Sequence, residues 1–192
     1  MQLFRYNSQI NIQENSLKKI LLFLLITSAL YSEAKIYMGA SYGGYNESFS
    51  DETMKENRDP IARLKVGYGV REAYAVEFSL DYTQVDSNAT SVNRYGLNVD
   101  LVKAFDFPYV NPFFKAGFGA GFVDTVSHGQ LTFGSFNLGA GLYIPINEHM
   151  DIEIGYDYRN LSYERVDDPQ GNTENENTSH VNIIYGGFNV RF

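Results

Sequence analysis

Apolar and polar residues alternate at every second position along most of this chain, and two is the period of a β-strand. In MDIEIGYDYRN, residues 150–160, the charged residues and one glycine share one parity and the apolar residues share the other. Beyond Lys35 we find no convincing helical period. Eight segments carry the alternation, each long enough for a tilted membrane strand, which needs about 9–11 residues. They are residues 35–46, 60–70, 73–85, 93–105, 111–123, 131–144, 150–161 and 180–192.

The connections between these segments differ in length in a regular order. Residues 71–72, 106–110 and 145–149 are short, residues 47–59 and 162–178 are long and polar, and residues 86–92 and 124–130 are intermediate. This order is typical of an antiparallel meander with all its short turns at one end. We therefore predict an all-β fold, an eight-stranded antiparallel up-and-down barrel with no second domain.

The two faces of the predicted strands differ in composition. One face is aliphatic and aromatic, and Lys103, near a strand end, is its only charge. The other face carries ten glycines and every other strand charge after Lys35. These charges are six basic and six acidic residues: Arg63, Lys65, Arg94, Lys115, Arg159 and Arg191, and Glu77, Asp81, Asp100, Asp151, Glu153 and Asp157.

Two kinds of barrel are compatible with these faces. A secreted soluble barrel would place the charged face in water, together with many glycines, which weaken strands and pack against nothing there. A membrane barrel places the apolar face in lipid, where a charge costs about 2–4 kcal/mol at mid-membrane. The glycines and the paired charges then fill a narrow interior. The pattern favours a transmembrane β-barrel with a charged interior, and the soluble barrel is the alternative.

The N-terminal residues predict export from the cytoplasm. A basic pair precedes residues 20–30, an apolar run shorter than the roughly 20 residues of a membrane-spanning helix. Ser32 and Ala34 supply small residues at the −3 and −1 positions of a cleavage site. We predict a cleaved signal peptide over residues 1–34 and a barrel domain over residues 35–192. The alternative for the apolar run is a buried core helix.

Composition and charge exclude several functions. The chain has no cysteine, so disulfides, thiolate metal sites and thiol nucleophiles are excluded. Its net charge of −8 argues against nucleic-acid binding, which needs a basic face. Because the twelve interior charges balance, the negative charge lies in four connections. Residues 47–59, 86–92, 124–130 and 162–178 carry −3, −1, −1 and −4, which is the whole −9 of residues 35–192, and residues 1–34 carry +1.

Two stretches resemble a known family. VNPFFKAGFGAGF, residues 110–122, is similar to a Pro-aromatic strand rich in small residues, and residues 136–160 are similar to a Gly-Ala-Gly hairpin that ends in an aromatic strand. Both resemble the small outer-membrane β-barrel family of Gram-negative bacteria, the OmpA-type barrel domains. The resemblance covers roughly residues 35–192. It implies an outer-membrane protein in contact with lipid and lipopolysaccharide, with its termini in the periplasm and four acidic loops outside.

The C-terminal residues YGGFNVRF resemble the targeting signal of such barrels, with Tyr185, Gly187, Val190 and Phe192 as its residues. The resemblance implies that the outer-membrane assembly machinery recognises the last strand. Any external partner of the loops is unknown from the sequence.

Residues for catalysis or metal binding are few. His128, His149 and His180 lie in or beside loops or turns, and none has a serine two positions later, unlike the lipid A deacylase barrels. The acidic stretch 167–176 lacks the spacing of an EF-hand loop. We predict no catalytic residues, cofactor or metal. The predicted function is a structural or surface-contact barrel with a charge-plugged interior. A narrow channel for small solutes is the alternative, and a lipid-modifying enzyme is the third hypothesis.

Overall fold

The structure is a computed structural model that describes residues 34–49, 57–87, 90–125, 129–164 and 178–192. Apart from Ala34, the predicted signal peptide lies outside these residues. Within the described ranges, no helix is long and apolar enough to cross a membrane.

Eight antiparallel strands form a closed barrel, in the order in which they occur in the chain. They are β1 (Lys35–Phe49), β2 (Asn57–Gly69), β3 (Tyr74–Ser87), β4 (Thr90–Ala104), β5 (Asn111–Thr125), β6 (Gly129–Pro145), β7 (Met150–Tyr163) and β8 (Thr178–Arg191). The all-β, eight-stranded up-and-down barrel predicted from the sequence is confirmed.

The first and last strands close the barrel. Tyr37 on β1 lies opposite Gly67 on β2 and also opposite Arg191 on β8. Each strand therefore has a neighbour on both sides, and the sheet has no free edge. This closure satisfies the backbone hydrogen bonds inside the sheet, which a membrane interior requires because it offers no water.

The strands extend further than the alternation predicts at one end, which we call the loop end. The other end, which holds both Lys35 and Arg191, is the turn end. At the loop end β3 reaches Ser87 and β4 begins at Thr90, so the connection predicted over residues 86–92 is much shorter. The sequence misses these ends because Asp86, Ser87, Thr90 and Ser91 are all polar, so no alternation marks them. The pairing of β3 with β4 nevertheless continues to these ends, with Ser87 opposite Thr90.

The outward face forms an apolar belt that starts at the turn end. On β3 the belt runs from Tyr74 to Tyr82, and on β5 from Phe114 to Phe122. Nine residues on each strand agree with the roughly 9–11 that cross a membrane. The belt ends in a row of aromatic residues that we call the girdle: Tyr42, Tyr82, Tyr95, Phe122, Phe136 and Tyr158.

Aromatic residues also mark the turn-end border of the belt. The rings of Phe105 and Phe114 meet edge to face, with centroids 6.2 Å apart. The Lys103 ammonium lies 4.3 Å from the centroid of the Tyr74 ring. On the loop side, the girdle rings of Tyr82 and Tyr95 are 5.3 Å apart. Aromatic side chains concentrate at both interfaces of membrane barrels because one part of the ring is apolar and its edge is polar.

We predict that Val99→Arg, in the centre of the belt on β4, lowers the free energy of unfolding by about 2–4 kcal/mol because it places a charge in lipid. Gln84→Arg is the control, since Gln84 lies on the outward face beyond the girdle. It should cost about 1 kcal/mol or less. The measurement is equilibrium unfolding in urea of the protein folded into lipid vesicles. Equal costs for both variants would contradict a lipid-facing belt.

Candidate functional site

All twelve charged residues predicted for the interior are buried in the barrel. None is more than 7% exposed. On β7 the burial alternates strictly from Asp151 to Asp157, with Ile152 and Ile154 outward between them. The parity read from the sequence therefore corresponds to the inward and outward faces of the strands.

The centre of the interior holds a continuous cluster of ion pairs. Asp157 lies 2.8 Å from Arg63 Nη1 and 3.0 Å from Lys115 Nζ. Asp81 lies 2.7 Å from Arg63 Nε and 2.6 Å from Arg159 Nη1. These five residues come from β2, β3, β5 and β7, so the cluster joins strands that are not neighbours in the sheet. Such pairing is required because an unpaired buried charge is strongly destabilising.

A second group of ion pairs centres on Lys65. Its ammonium contacts the carboxylates of both Glu77, at 3.0 Å, and Glu153. Glu153 also accepts hydrogen bonds from the Tyr185 hydroxyl at 3.1 Å and from Asn189 Nδ2 at 2.9 Å. Both oxygens of this carboxylate are thus occupied.

Asp100 is connected to the other interior charges through the side-chain amides of two asparagines. The Nδ2 atom of Asn137 donates to Asp100 Oδ1 at 3.4 Å and to Asn98 Oδ1 at 3.1 Å. Asn98 in turn donates to Asp81, which connects this group to the central cluster.

At the turn end, Asp151 pairs with two arginines. Arg191 Nε lies 2.8 Å from Asp151 Oδ2, and Arg71 Nη2 lies 2.6 Å from Asp151 Oδ1. Arg71 belongs to the turn between β2 and β3, and it also donates to the carbonyl of Asn147 at 2.7 Å. The sequence analysis missed Arg71 because a turn residue has no strand parity.

At the loop end, a buried glutamate that the sequence analysis also missed pairs with Arg94. Glu47 lies 3.0 Å from Arg94 Nη1 and accepts hydrogen bonds from Ser179 Oγ at 2.6 Å and Tyr163 at 2.8 Å. The sequence reading ended β1 at Asn46 and placed Glu47 in a loop. Its parity on the longer β1 is the inward one, the signal that could have identified it.

Apolar side chains occupy the interior on both sides of the central ion pairs. The cluster at the loop end consists of Tyr45, Ile61, Val123, Phe133, Leu161, Val181, Ile183 and Tyr185. The cluster at the turn end consists of Tyr37, Ala75, Val102, Ala104, Phe113 and Tyr143. The sequence analysis assigned the inward face by its charges and glycines and missed these two layers. The central ion pairs therefore lie between two largely apolar clusters.

Tyr185 shows why the inward face needs glycine. A Cβ atom on Gly155 would lie 2.4 Å from the Tyr185 ring, so only glycine leaves room for it. Arg63 and Lys115 each lie 5.0 Å from the centroid of this ring. The ring thus packs against one glycine while two cations of the central cluster lie near it.

A small cavity lies inside the part of the barrel that the structure describes. This cavity, of about 20 Å³, lies towards the loop end, lined in part by Asp81, Arg94, Phe133 and Arg159. This volume accommodates about one water molecule. Eight strands leave an interior that side chains can fill, and they do so here.

The four residues of the predicted C-terminal signal lie on both faces of the barrel. Tyr185 is buried, and Gly187 shares its inward parity. Val190 and Phe192 have the outward parity, and Phe192 donates its backbone N–H to the carbonyl of Ile36 at 3.0 Å. Their recognition by the assembly machinery stays a prediction.

The histidines do not form a recognisable catalytic group in the described part of the chain. His149 is exposed in the turn between β6 and β7, and His128 lies outside the described residues. His180 has the outward parity on β8, and its Nδ1 lies 2.8 Å from the Tyr158 hydroxyl. Among the described residues, no three His, Asp or Glu side chains are grouped so as to hold a metal ion.

A closed barrel with a lipid-facing belt and a charged, filled interior defines an integral outer-membrane β-barrel. The chain belongs to the family of the outer membrane protein beta-barrel domain, whose model matches residues 20–192. The resemblance stated from the sequence is confirmed, and the protein is an outer-membrane protein.

Two solved structures illustrate the fold. Neisserial surface protein A is 18% identical, covers 84% of this chain and 100% of its own, and superposes with a TM-score of 0.63. Ail, the attachment invasion locus protein of Yersinia pestis, is 18% identical, covers 83% of this chain and 99% of its own, and has a TM-score of 0.53. At these identities the similarity shows the fold alone. No curated protein sequence matches the chain.

We predict that Arg63→Met lowers the free energy of unfolding by about 3–5 kcal/mol because it removes a cation from both Asp81 and Asp157. Leu64→Met is the control, since it makes a similar side chain at the next position, on the lipid face. Unfolding of both variants in urea from lipid vesicles provides the measurement. A loss of similar size in the control would contradict an essential role for the ion pairs.

We also predict that Gly155→Ala destabilises the barrel by about 1–3 kcal/mol because the new methyl group displaces the Tyr185 ring. Gly134→Ala makes the same change where no atom lies within 4 Å of the added Cβ, and it should leave stability nearly unchanged. Thermal unfolding in detergent, followed by circular dichroism, compares the two. The packing explanation fails if the two midpoints fall equally.

Proposed function

We propose that this protein is a non-enzymatic outer-membrane barrel with a sealed interior, which acts as a structural and surface-contact element. The observation that carries the proposal is the order of the inward layers, with paired charges between two apolar clusters. An ion that crossed this interior would have to pass both clusters without water. It would also have to separate carboxylates and cations that already pair.

The orientation follows from the two ends of the barrel. We propose that the turn end faces the periplasm and that the loop end faces outward, because the long acidic connections belong to the loop end. The strands continue past the girdle, from Tyr82 to Ser87 on β3 and from Tyr158 to Tyr163 on β7. This extension reaches the level of the lipid headgroups and beyond.

The outward residues of this extension are suited to contacts with lipopolysaccharide. They are uncharged and polar on several strands, among them Gln84, Asn93, Asn160 and Asn182. The amide side chains of these residues both donate and accept hydrogen bonds, as sugar hydroxyls do. We propose that this surface contacts the saccharide part of lipopolysaccharide, while the belt contacts its acyl chains.

The charge of the loops limits the surface partners. A structure of Ail from Yersinia pestis, 19% identical to this chain with a TM-score of 0.53, was solved in complex with the heparin analogue sucrose octasulfate. The loops of the present chain carry net negative charge, so a polyanion would be repelled. We propose that their partners are cationic or are bridged by divalent cations.

A narrow channel is the second candidate, and one observation favours it. The Nε atoms of Arg94 and Arg159 are buried without hydrogen-bond partners in the described part of the chain, and both residues line the small cavity. Water that entered from the loop end would satisfy them. A channel would still require the apolar layer at the turn end to open.

Single-channel conductance in planar bilayers separates the two candidates. We expect no discrete openings from the wild-type protein, beside a porin as the positive control. We expect Arg94→Ala/Arg159→Ala to show openings more often than the wild type, because the substitutions enlarge the cavity at the loop end. Reproducible wild-type openings would overturn the sealed barrel and favour the channel. An altered lipid A mass spectrum in cells that express the protein would instead favour the enzyme.

A further inference from the structure

A groove of about 540 Å³ crosses the outward face of the barrel from β4 to β7. Two rows of paired residues border it. One row runs from Leu101 through Ala116 and Leu138 to Tyr158, and the register of the strands places these residues side by side. The other row is Lys103, Phe114, Ala140 and Tyr156.

The groove exists because small side chains lie among large ones. Ala116 has Leu101 on one side and Leu138 on the other. Ala140 lies between Phe114 and Tyr156 in the same way. The missing side-chain volume at the two alanines leaves a depression in the belt. A larger groove, of about 840 Å³, lies elsewhere on the outward face along Ala40, Ala62 and Ala120, but Lys103 does not line it.

The direction of the groove suits a lipid chain. The rows run across the strands, which in membrane barrels tilt by about 35–45°. The groove therefore rises obliquely from Lys103, at the turn-end border, towards Tyr158 in the girdle. Its walls are almost entirely apolar, and its length across four strands is roughly 14 Å at the usual spacing of about 4.8 Å.

The charge at one end of the groove distinguishes it from ordinary lipid-facing surface. Among the described outward residues between the two borders of the belt, only Lys103 is charged. Its ammonium is held 4.3 Å from the Tyr74 ring centroid and 5.4 Å from that of Phe105. A lysine at a border costs little by itself, because its stem reaches the interface. What needs explanation is that an apolar groove starts at this lysine.

We propose that the groove binds one anionic phospholipid, with its phosphate on Lys103 and one acyl chain along Ala116 and Ala140. Under the orientation proposed above, this lipid belongs to the leaflet on the periplasmic side, which consists of phospholipid. An amphipathic ligand matches the site in both parts. The cation attracts the headgroup, and the depression accepts a chain that a flat belt would leave loosely packed.

Native mass spectrometry of the protein released from detergent tests the headgroup. The probes are phosphatidylglycerol and phosphatidylcholine with identical acyl chains. We expect the wild type to retain one phosphatidylglycerol in preference, and Lys103→Gln to reduce this retention about five-fold, the effect of one partly exposed charge pair. Lys35→Gln, at the same end of the barrel but outside the groove, should match the wild type. Equal loss in the two variants, or no preference in the wild type, would mean a non-specific lipid shell and overturn the site.

Groove filling tests the acyl chain separately. Ala140→Phe should reduce retention of both lipids, since the added ring occupies the depression. Ala120→Phe is the control, an outward alanine on β5 that lines the larger groove, which lacks Lys103, and not this one. Unchanged retention in Ala140→Phe, or equal loss in Ala120→Phe, would overturn the site. Lipid retention tests the groove, and conductance tests the sealed interior. The failure of one proposal is therefore distinguishable from the failure of the other.

Discussion

The narrow width of an eight-stranded barrel is the constraint on which the rest of this structure depends. Every inward side chain must fit against side chains from the opposite wall, and every inward charge needs a partner within the same narrow space. Tyr185 meets both demands at once. Its ring lies where Gly155 has no side chain, Arg63 and Lys115 lie near the ring, and its hydroxyl donates to Glu153. Packing and electrostatics in this interior therefore depend on the same residues, so a substitution that changes one also changes the other.

The same constraint explains where charge is found along the chain. Lipid excludes it from the belt, and the interior admits it only in pairs. Glu47 and Arg71, which the sequence analysis did not place in the interior, follow the same rule, because each pairs with a predicted interior residue of opposite charge. Net charge can accumulate only where water is available, and the acidic connections at the loop end carry it. The net negative charge of the chain thus comes from its loops and not from its barrel.

The alternation of residues predicts the strands and their faces because a period of two is a local property. It could not predict the ends of the strands at Ser87 and Thr90, because the residues there are polar and the alternation stops. It also could not predict the apolar layers. Phe133 shares its parity with the inward glycines, but the position that accommodates its ring is Gly121 on β5. That match depends on the register between strands, which no single segment contains.

A filled interior leaves the outside of the barrel as the surface on which function can differ between members of the family. The belt is constrained by lipid and the girdle by the membrane interface, whereas surface loops generally tolerate changes in length and sequence and carry function. Against this background Lys103 is the exception, because lipid gives no reason to keep a cation beside a groove of alanines. A snorkelling lysine would function equally well beside bulky neighbours. A bound lipid explains why the cation and the alanine groove lie side by side. Interfacial anchoring of the lysine alone does not explain the groove.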